Sequence, residues 1–292
     1  MPLSRPALDA RLQTGAPLIL DGATGTELER RGVATRLPLW SAGALDSHPD
    51  LVLQIHVDYV ASGVDVITAN TFRTQRRTLA TAGIGDRAEE LTRRAVALAR
   101  RAAGERVWVF GSSPPLEDCY HPERVPDGGA LAREHAEHAR NLALAGVDAI
   151  LVETMNTQRE AAAALRAAHD AGAPALASFV CRDGARLLSG EPLADALRVA
   201  GDEGACAVLA NCLPPSNATA CLDVLAAQPL PFGLYPNLGE PEDEQGFRRS
   251  EELSAERFAE LAAGWAARGA RVLGGCCGTT PEQLAAVVRR LR

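Results

Sequence analysis

Three cysteines stand where short apolar runs end: Cys212 in Ala-Asn-Cys-Leu-Pro, and the adjacent Cys276 and Cys277 in Gly-Gly-Cys-Cys-Gly. The preceding runs, Cys-Ala-Val-Leu-Ala and Arg-Val-Leu, read as buried strands, so the thiols fall at strand ends. Three thiolates meeting at one point form a soft, anionic cage. Zinc prefers such a cage, and three protein ligands leave a fourth position for a substrate. A substrate thiol held there would lose its proton and stay nucleophilic at neutral pH. On a regular strand Cys276 and Cys277 would point to opposite faces. Both can face one metal only if the backbone turns sharply, and Gly274, Gly275 and Gly278 supply that freedom. The competing reading is a pair of small buried hydrophobes beside an unrelated Cys212. Cys119, Cys181, Cys206 and Cys221 read as packing or surface residues.

Other polar residues also follow apolar runs. Asp21-Gly-Ala-Thr-Gly-Thr26 opens a helical stretch; the amides of Gly22, Ala23 and Thr24 could hold a carboxylate or phosphate, and Asp21 an ammonium. A purely structural strand-to-helix turn is the alternative. Glu153, after Ile-Leu-Val, is either an ion-paired barrel residue or a substrate ligand, and Asn70 poses the same choice. Asn237 also falls at a strand end. His135 and His138 lie on an expected helix beside Glu134 and Glu137. Their spacing could bind a metal, but the segment reads as a solvated charged face. Aromatics are only 4% of the chain, so Trp40, Phe72, Trp108, Tyr120, Phe179 and Tyr235 are worth tracing. A cationic ligand would want one or two of them over its charge.

The elements that must position these groups repeat. Apolar runs at 17–21, 64–68, 106–110, 147–152, 174–179, 206–210, 231–235 and 270–273 each lead into an Ala/Leu/Arg-rich helical stretch. Thr157-Gln-Arg-Glu160 and Thr280-Pro-Glu-Gln283 have capping-box spacing, with Pro281 at a first helical position. Ser62-Gly63 and Ala145-Gly146 suit helix ends. Eight such units predict a single (β/α)8 TIM barrel over residues 1–292, with a doubly wound open sheet as the alternative. In a barrel the strand ends converge on one mouth. Residues 236–246, with Glu240, Glu242, Asp243 and Glu244, read as an acidic surface loop.

Composition narrows the function. The net charge of −7 and the lack of a basic block argue against nucleic acid or an anionic membrane as partner. The N-terminus has no apolar leader core and no run reaches membrane-spanning length, so a cytoplasmic location is expected. Seven cysteines, an odd number in a long chain, suit reduced thiols rather than a disulfide framework. A homo-oligomer is compatible with all of this.

Several signatures in order then resemble the homocysteine S-methyltransferase family from Leu18 onward. They are Asp21-Gly-Ala-Thr-Gly-Thr26, Thr68-Ala-Asn-Thr-Phe72, Glu153-Thr154, Ala210-Asn-Cys212, Pro236-Asn-Leu-Gly-Glu240 and Gly274-Gly-Cys-Cys-Gly-Thr279. The resemblance implies a (β/α)8 barrel holding one Zn(2+) through Cys212, Cys276 and Cys277. It implies that Asp21 and Glu153 hold the homocysteine ammonium, that the amides after Asp21 hold its carboxylate, and that Trp40 matches an aromatic near the donor site of betaine-using relatives. The chain departs from many members at 111–120, Gly-Ser-Ser-Pro-Pro-Leu-Glu-Asp-Cys-Tyr, where they carry Gly-Pro-Tyr-Gly. The expected reaction is methyl transfer from a sulfonium donor to homocysteine, giving methionine; S-methylmethionine precedes S-adenosylmethionine and betaine as donor. A selenol acceptor is the runner-up, and a zinc- or redox-responsive thiol sensor is the reading from another class.

Overall fold

The structure is a computed structural model and describes residues 3–183, 185–239 and 253–292. Eight parallel strands follow the expected runs: β1 Leu18–Ile19, β2 Val66–Ala69, β3 Trp108–Ser113, β4 Ala149–Met155, β5 Ala175–Phe179, β6 Val208–Asn211, β7 Phe232–Tyr235 and β8 Val272–Leu273. Neighbours in sequence are neighbours in the sheet, and β8 returns to β1 through Leu18↔Val272. A bridge between Leu20 and Val66 joins β1 to β2 and completes the ring. The chain is a single-domain (β/α)8 TIM barrel, and the open sheet is excluded by that closure.

Strand periodicity explains what fills it. Leu18, Leu20, Val66, Phe110, Leu151, Leu176, Leu209 and Val272 form one buried cluster inside the ring, which Leu8 and Leu12 of the helix Arg5–Gln13 join. Each such side chain contributes about 1.5–3 kcal/mol by leaving water. Two residues further along the same faces, the side chains turn polar: Thr68, Ser112, Glu153, Ser178 and Asn211. The barrel is therefore apolar below and hydrogen-bonding at its mouth.

The helices outside bury one stripe each; Ala88–Ala103 does so through Leu91, Ala95, Ala99 and Ala103. Gly146 ends the helix Gly128–Ala145 in the left-handed region, φ 84°, as its sequence position predicts. Thr280 and Gln283 form a complete capping box with Pro281 in the first turn. Thr157 does not. It is the residue before the helix Gln158–Asp170, but its side chain makes no cap bond. Glu160 accepts instead from Leu116 N at 2.8 Å and faces His135 Nε2 at 3.2 Å.

That contact overturns the solvated-face reading of the two histidines. His135 and His138 are 1% and 2% exposed, and His138 Nε2 lies 3.1 Å from Ser112 O. Only Glu134 and Glu137 look outward, each 2.7 Å from an arginine, Arg77 and Arg76. Glu240, Glu242, Asp243 and Glu244 of the expected acidic loop lie outside the described residues. Among the described residues no helix is long and apolar enough to cross a membrane.

Candidate active site

At the mouth the three expected sulfurs converge. The Sγ atoms of Cys212, Cys276 and Cys277 all lie within 4.8 Å of one another. Cys212 and Cys276 are 3.1 Å apart. Ligands 2.3 Å from a tetrahedral zinc would sit about 3.8 Å apart, so this set fits a single ion in number, element and spacing. It is the one such cluster among the described residues.

The backbone that brings adjacent cysteines to one point is well anchored. Cys276 N donates to Pro236 O at 2.9 Å, and Cys277 O accepts from Leu238 N at 2.7 Å. Gly278 follows at φ +83°, and a β-carbon there would stand 2.6 Å from Leu238 O. Only glycine takes both the dihedral and the contact. Cys212 itself sits at φ 53°, in the left-handed region that L side chains rarely adopt. The turn at the end of β6 thereby swings its thiol toward the pair.

Electrostatically the cluster is primed to hold anionic sulfur. The Cys212 thiol lies well below its ordinary pKa, chiefly because Cys276 and Cys277 donate hydrogen bonds to it, with the Thr154 and Tyr120 hydroxyls adding to them. The same bonds push Cys276 and Cys277 up.

Asp21 and Glu153 face the same cavity of about 200 Å³. They are 3% and 8% exposed. Asp21 Oδ2 accepts from Thr68 N at 2.9 Å. Glu153 accepts from the Ser112 hydroxyl and, at 3.1 Å, from the Tyr235 hydroxyl. Burial pushes Asp21 up to about 8 and Glu153 up to about 7. Among the described residues neither carboxylate has a cationic partner, and two buried acids so placed call for a cationic ligand. Gly22, Ala23 and Thr24 line the wall beside them, and Ala23 N faces Thr279 Oγ1 at 3.4 Å.

Trp40 also lines the cavity. Its ring packs so closely on the helix Gly25–Arg30 that a β-carbon at Gly25 would lie 2.5 Å from it. It meets Phe72 edge to face at 6.3 Å. Asn70 lines the cavity too, but its amide is engaged with Ser41, whose hydroxyl donates to Oδ1 at 2.7 Å and whose carbonyl accepts from Nδ2 at 2.9 Å. It tethers the segment that carries Trp40. Asn237 is buried behind the cluster and does not reach the cavity wall; its backbone N donates to Leu213 O at 2.9 Å.

Three cavity residues escape a reading of the sequence by motif. Cys119 is buried in the wall beside Cys212 rather than packed elsewhere; its position just before Tyr120 was the available signal. Arg73 directly follows the Thr68–Phe72 signature. Tyr235, legible only as a core aromatic, holds Glu153.

The sequence matches the family described as homocysteine S-methyltransferase over residues 18–291. Homocysteine S-methyltransferase of Escherichia coli is 34% identical over 297 residues, covering 94% of each chain. Homocysteine S-methyltransferase 2 of Arabidopsis thaliana is 29% identical, covering 96% of this chain and 94% of that protein. The crystal structure of the metallated form of the E. coli homocysteine methyltransferase MmuM superposes with a TM-score of 0.84 at 30% identity, covering 97% of this chain and 99% of that one.

Proposed function

Because the chain belongs to the homocysteine S-methyltransferase family, we propose that it transfers a methyl group from a sulfonium donor to the thiol of homocysteine, with the whole barrel as the homocysteine-binding domain. The observation that carries this reading is the meeting of three sulfurs within 4.8 Å beside two buried carboxylates in one cavity. Cys212, Cys276 and Cys277 would hold zinc, which when bound supplies a Lewis acid that keeps a thiol ligand deprotonated at neutral pH.

The chain's own residues do the rest. Asp21 and Glu153 bind the homocysteine ammonium from two sides. Thr68 N, Ser112 and Tyr235 fix those carboxylates so that the acceptor sulfur is aimed at the cluster. Trp40 and Tyr120 present aromatic faces to the donor's positive charge. In the transfer, the acceptor sulfur forms a bond to the methyl carbon, and the donor sulfur keeps the electron pair of the bond that breaks. A neutral thioether leaves, so no general acid is needed at that atom. Most of the rate would come from holding the two sulfurs and the carbon in line.

The test is a panel of S-methylmethionine, S-adenosylmethionine and betaine with zinc-loaded protein and homocysteine, scoring methionine. Turnover with a sulfonium donor is expected. A thiol sensor would bind zinc or oxidise without consuming homocysteine, and that outcome would overturn the reading.

A further inference from the structure

Arg73 lies in the loop after β2 and lines the cavity with Phe72, Cys119 and Tyr120. Its guanidinium carbon sits 5.5 Å from the Phe72 ring centroid, and Phe72 in turn braces Trp40. Its Nε is buried and meets no hydrogen-bond acceptor. Among the described residues Arg73 has no ion-pair partner, whereas Arg76 and Arg77, a turn further on, are both paired. A half-buried guanidinium without an anion is costly, and a bound anion offsets that cost.

Among the described residues none of the cavity's acids pairs with Arg73. Asp21 accepts from Thr68 N, Glu153 from Ser112 and Tyr235, and Asp118 Oδ1 from Tyr120 N at 3.0 Å. His121 pairs with Glu123 at 2.8 Å. The guanidinium is thereby left available to an anionic group of a ligand. The sulfur cluster in the cavity is anionic, and Arg73, on the wall beside Phe72 and Cys119, is the arginine that lines it. That polarity fits a molecule positive at one end and negative at the other.

We propose that Arg73 recognises the carboxylate of the methyl donor, so that the donor is an onium zwitterion whose charged methyl group points to the sulfurs. The assignment rests on the methyl-transfer reading above. The planar guanidinium can hold a carboxylate through two parallel hydrogen bonds, which also fixes the direction of the methyl group.

Homocysteine carries a carboxylate as well, so the experiment separates the two sources. The ratio of kcat/KM for S-methylmethionine over its carboxamide is measured at saturating homocysteine, in the wild type and in Arg73→Gln. The wild type is expected to favour the acid roughly 10- to 100-fold. Arg73→Gln should reduce that preference to near unity while the homocysteine KM stays unchanged. Arg73→Lys should restore part of it, and carries the comparison should the glutamine variant not fold. If betaine is the active donor, betaine and its amide are compared instead. A preference that survives in an active Arg73→Gln overturns this inference alone. A homocysteine KM that rises in place of the donor effect assigns Arg73 to the acceptor and also overturns it. A wild type inert with every donor overturns the methyl-transfer reading and this inference with it.

Discussion

Thr154 and Cys212, at the ends of β4 and β6, both occupy the left-handed region, φ 60° and 53°, and the Thr154 hydroxyl donates to Cys212 Sγ at 3.7 Å. Asn211 ties them together: its Nδ2 donates to Thr154 Oγ1 at 2.9 Å, while its Oδ1 accepts from Thr154 N at 3.2 Å and from the Ser178 hydroxyl at 2.7 Å. A β-branched residue held there stores about 1–3 kcal/mol of strain, sustained by that network. Thr154→Ser should keep zinc and activity. Thr154→Val keeps the shape but leaves the Asn211 amide short of an acceptor, at a cost of about 1–3 kcal/mol. The valine variant should melt lower and bind zinc more weakly; chelator competition and a thermal melt would show it. Equal zinc affinity in both variants would remove the hydroxyl from the cluster's support.

One zinc per chain is expected. Replacing Cys212, Cys276 or Cys277 with Ser should abolish both zinc retention and methyl transfer, because two thiolates and a hydroxyl make a poor zinc cage. Strong chelators should silence the wild type, with recovery on adding zinc back. Full activity in Cys277→Ser would eliminate the central claim.

Asp21→Asn and Glu153→Gln should each lower kcat/KM for homocysteine by roughly 2–4 kcal/mol while zinc stays bound. Loss of zinc in these variants would instead make the two residues part of the cluster's support.

The same two carboxylates set a pH dependence. Their folded values, about 8 and about 7, lie above the ordinary 3.8 and 4.5. The folded state therefore binds more protons than the unfolded one between roughly pH 4 and 8, and their contribution to stability falls as pH rises through that window. Ligand-free Asp21→Asn should thus melt higher than the wild type at pH 8 and about equally near pH 4. His56 and His138 act in the opposite direction: burial pushes both down to about 4, so their stabilisation is lost as pH falls from 6.5 toward 4. Melts of Asp21→Asn and His138→Gln beside the wild type across pH 4 to 8 separate the two slopes.

Trp40→Leu keeps apolar bulk but not the ring's negative face. The donor KM should rise roughly 2- to 30-fold, matching about 0.5–2 kcal/mol of cation–π attraction, with little change in the homocysteine KM. Because Trp40 also packs on Gly25 and Phe72, a lower melting temperature is expected too. Equal shifts in both KM values would sink the donor-side role.

Much of this was written along the chain. Eight short apolar runs, each leading into a helical stretch, made the strands legible, and Glu153 falls two places beyond Leu151 on one face of β4. The same logic put Cys212 and the Cys276–Cys277 pair at strand ends, and the glycines around the pair announced the turn they need. Local capping at Thr280 was equally readable, since its partner Gln283 is three residues away. What only the closed barrel decided are pairings across distant elements. His135 meets Glu160, Ser112 meets Glu153, Ser41 meets Asn70 and Thr154 meets Asn211, across separations of 25, 41, 29 and 57 residues. A polar residue's neighbours in sequence cannot show whether water or a buried partner will satisfy it. His135 and His138 looked solvated for that reason, and Glu160 left its expected capping role because a buried histidine and a backbone N–H offered it more. Arg73 is the converse case: only the assembled cavity reveals a guanidinium with no partner among the described residues.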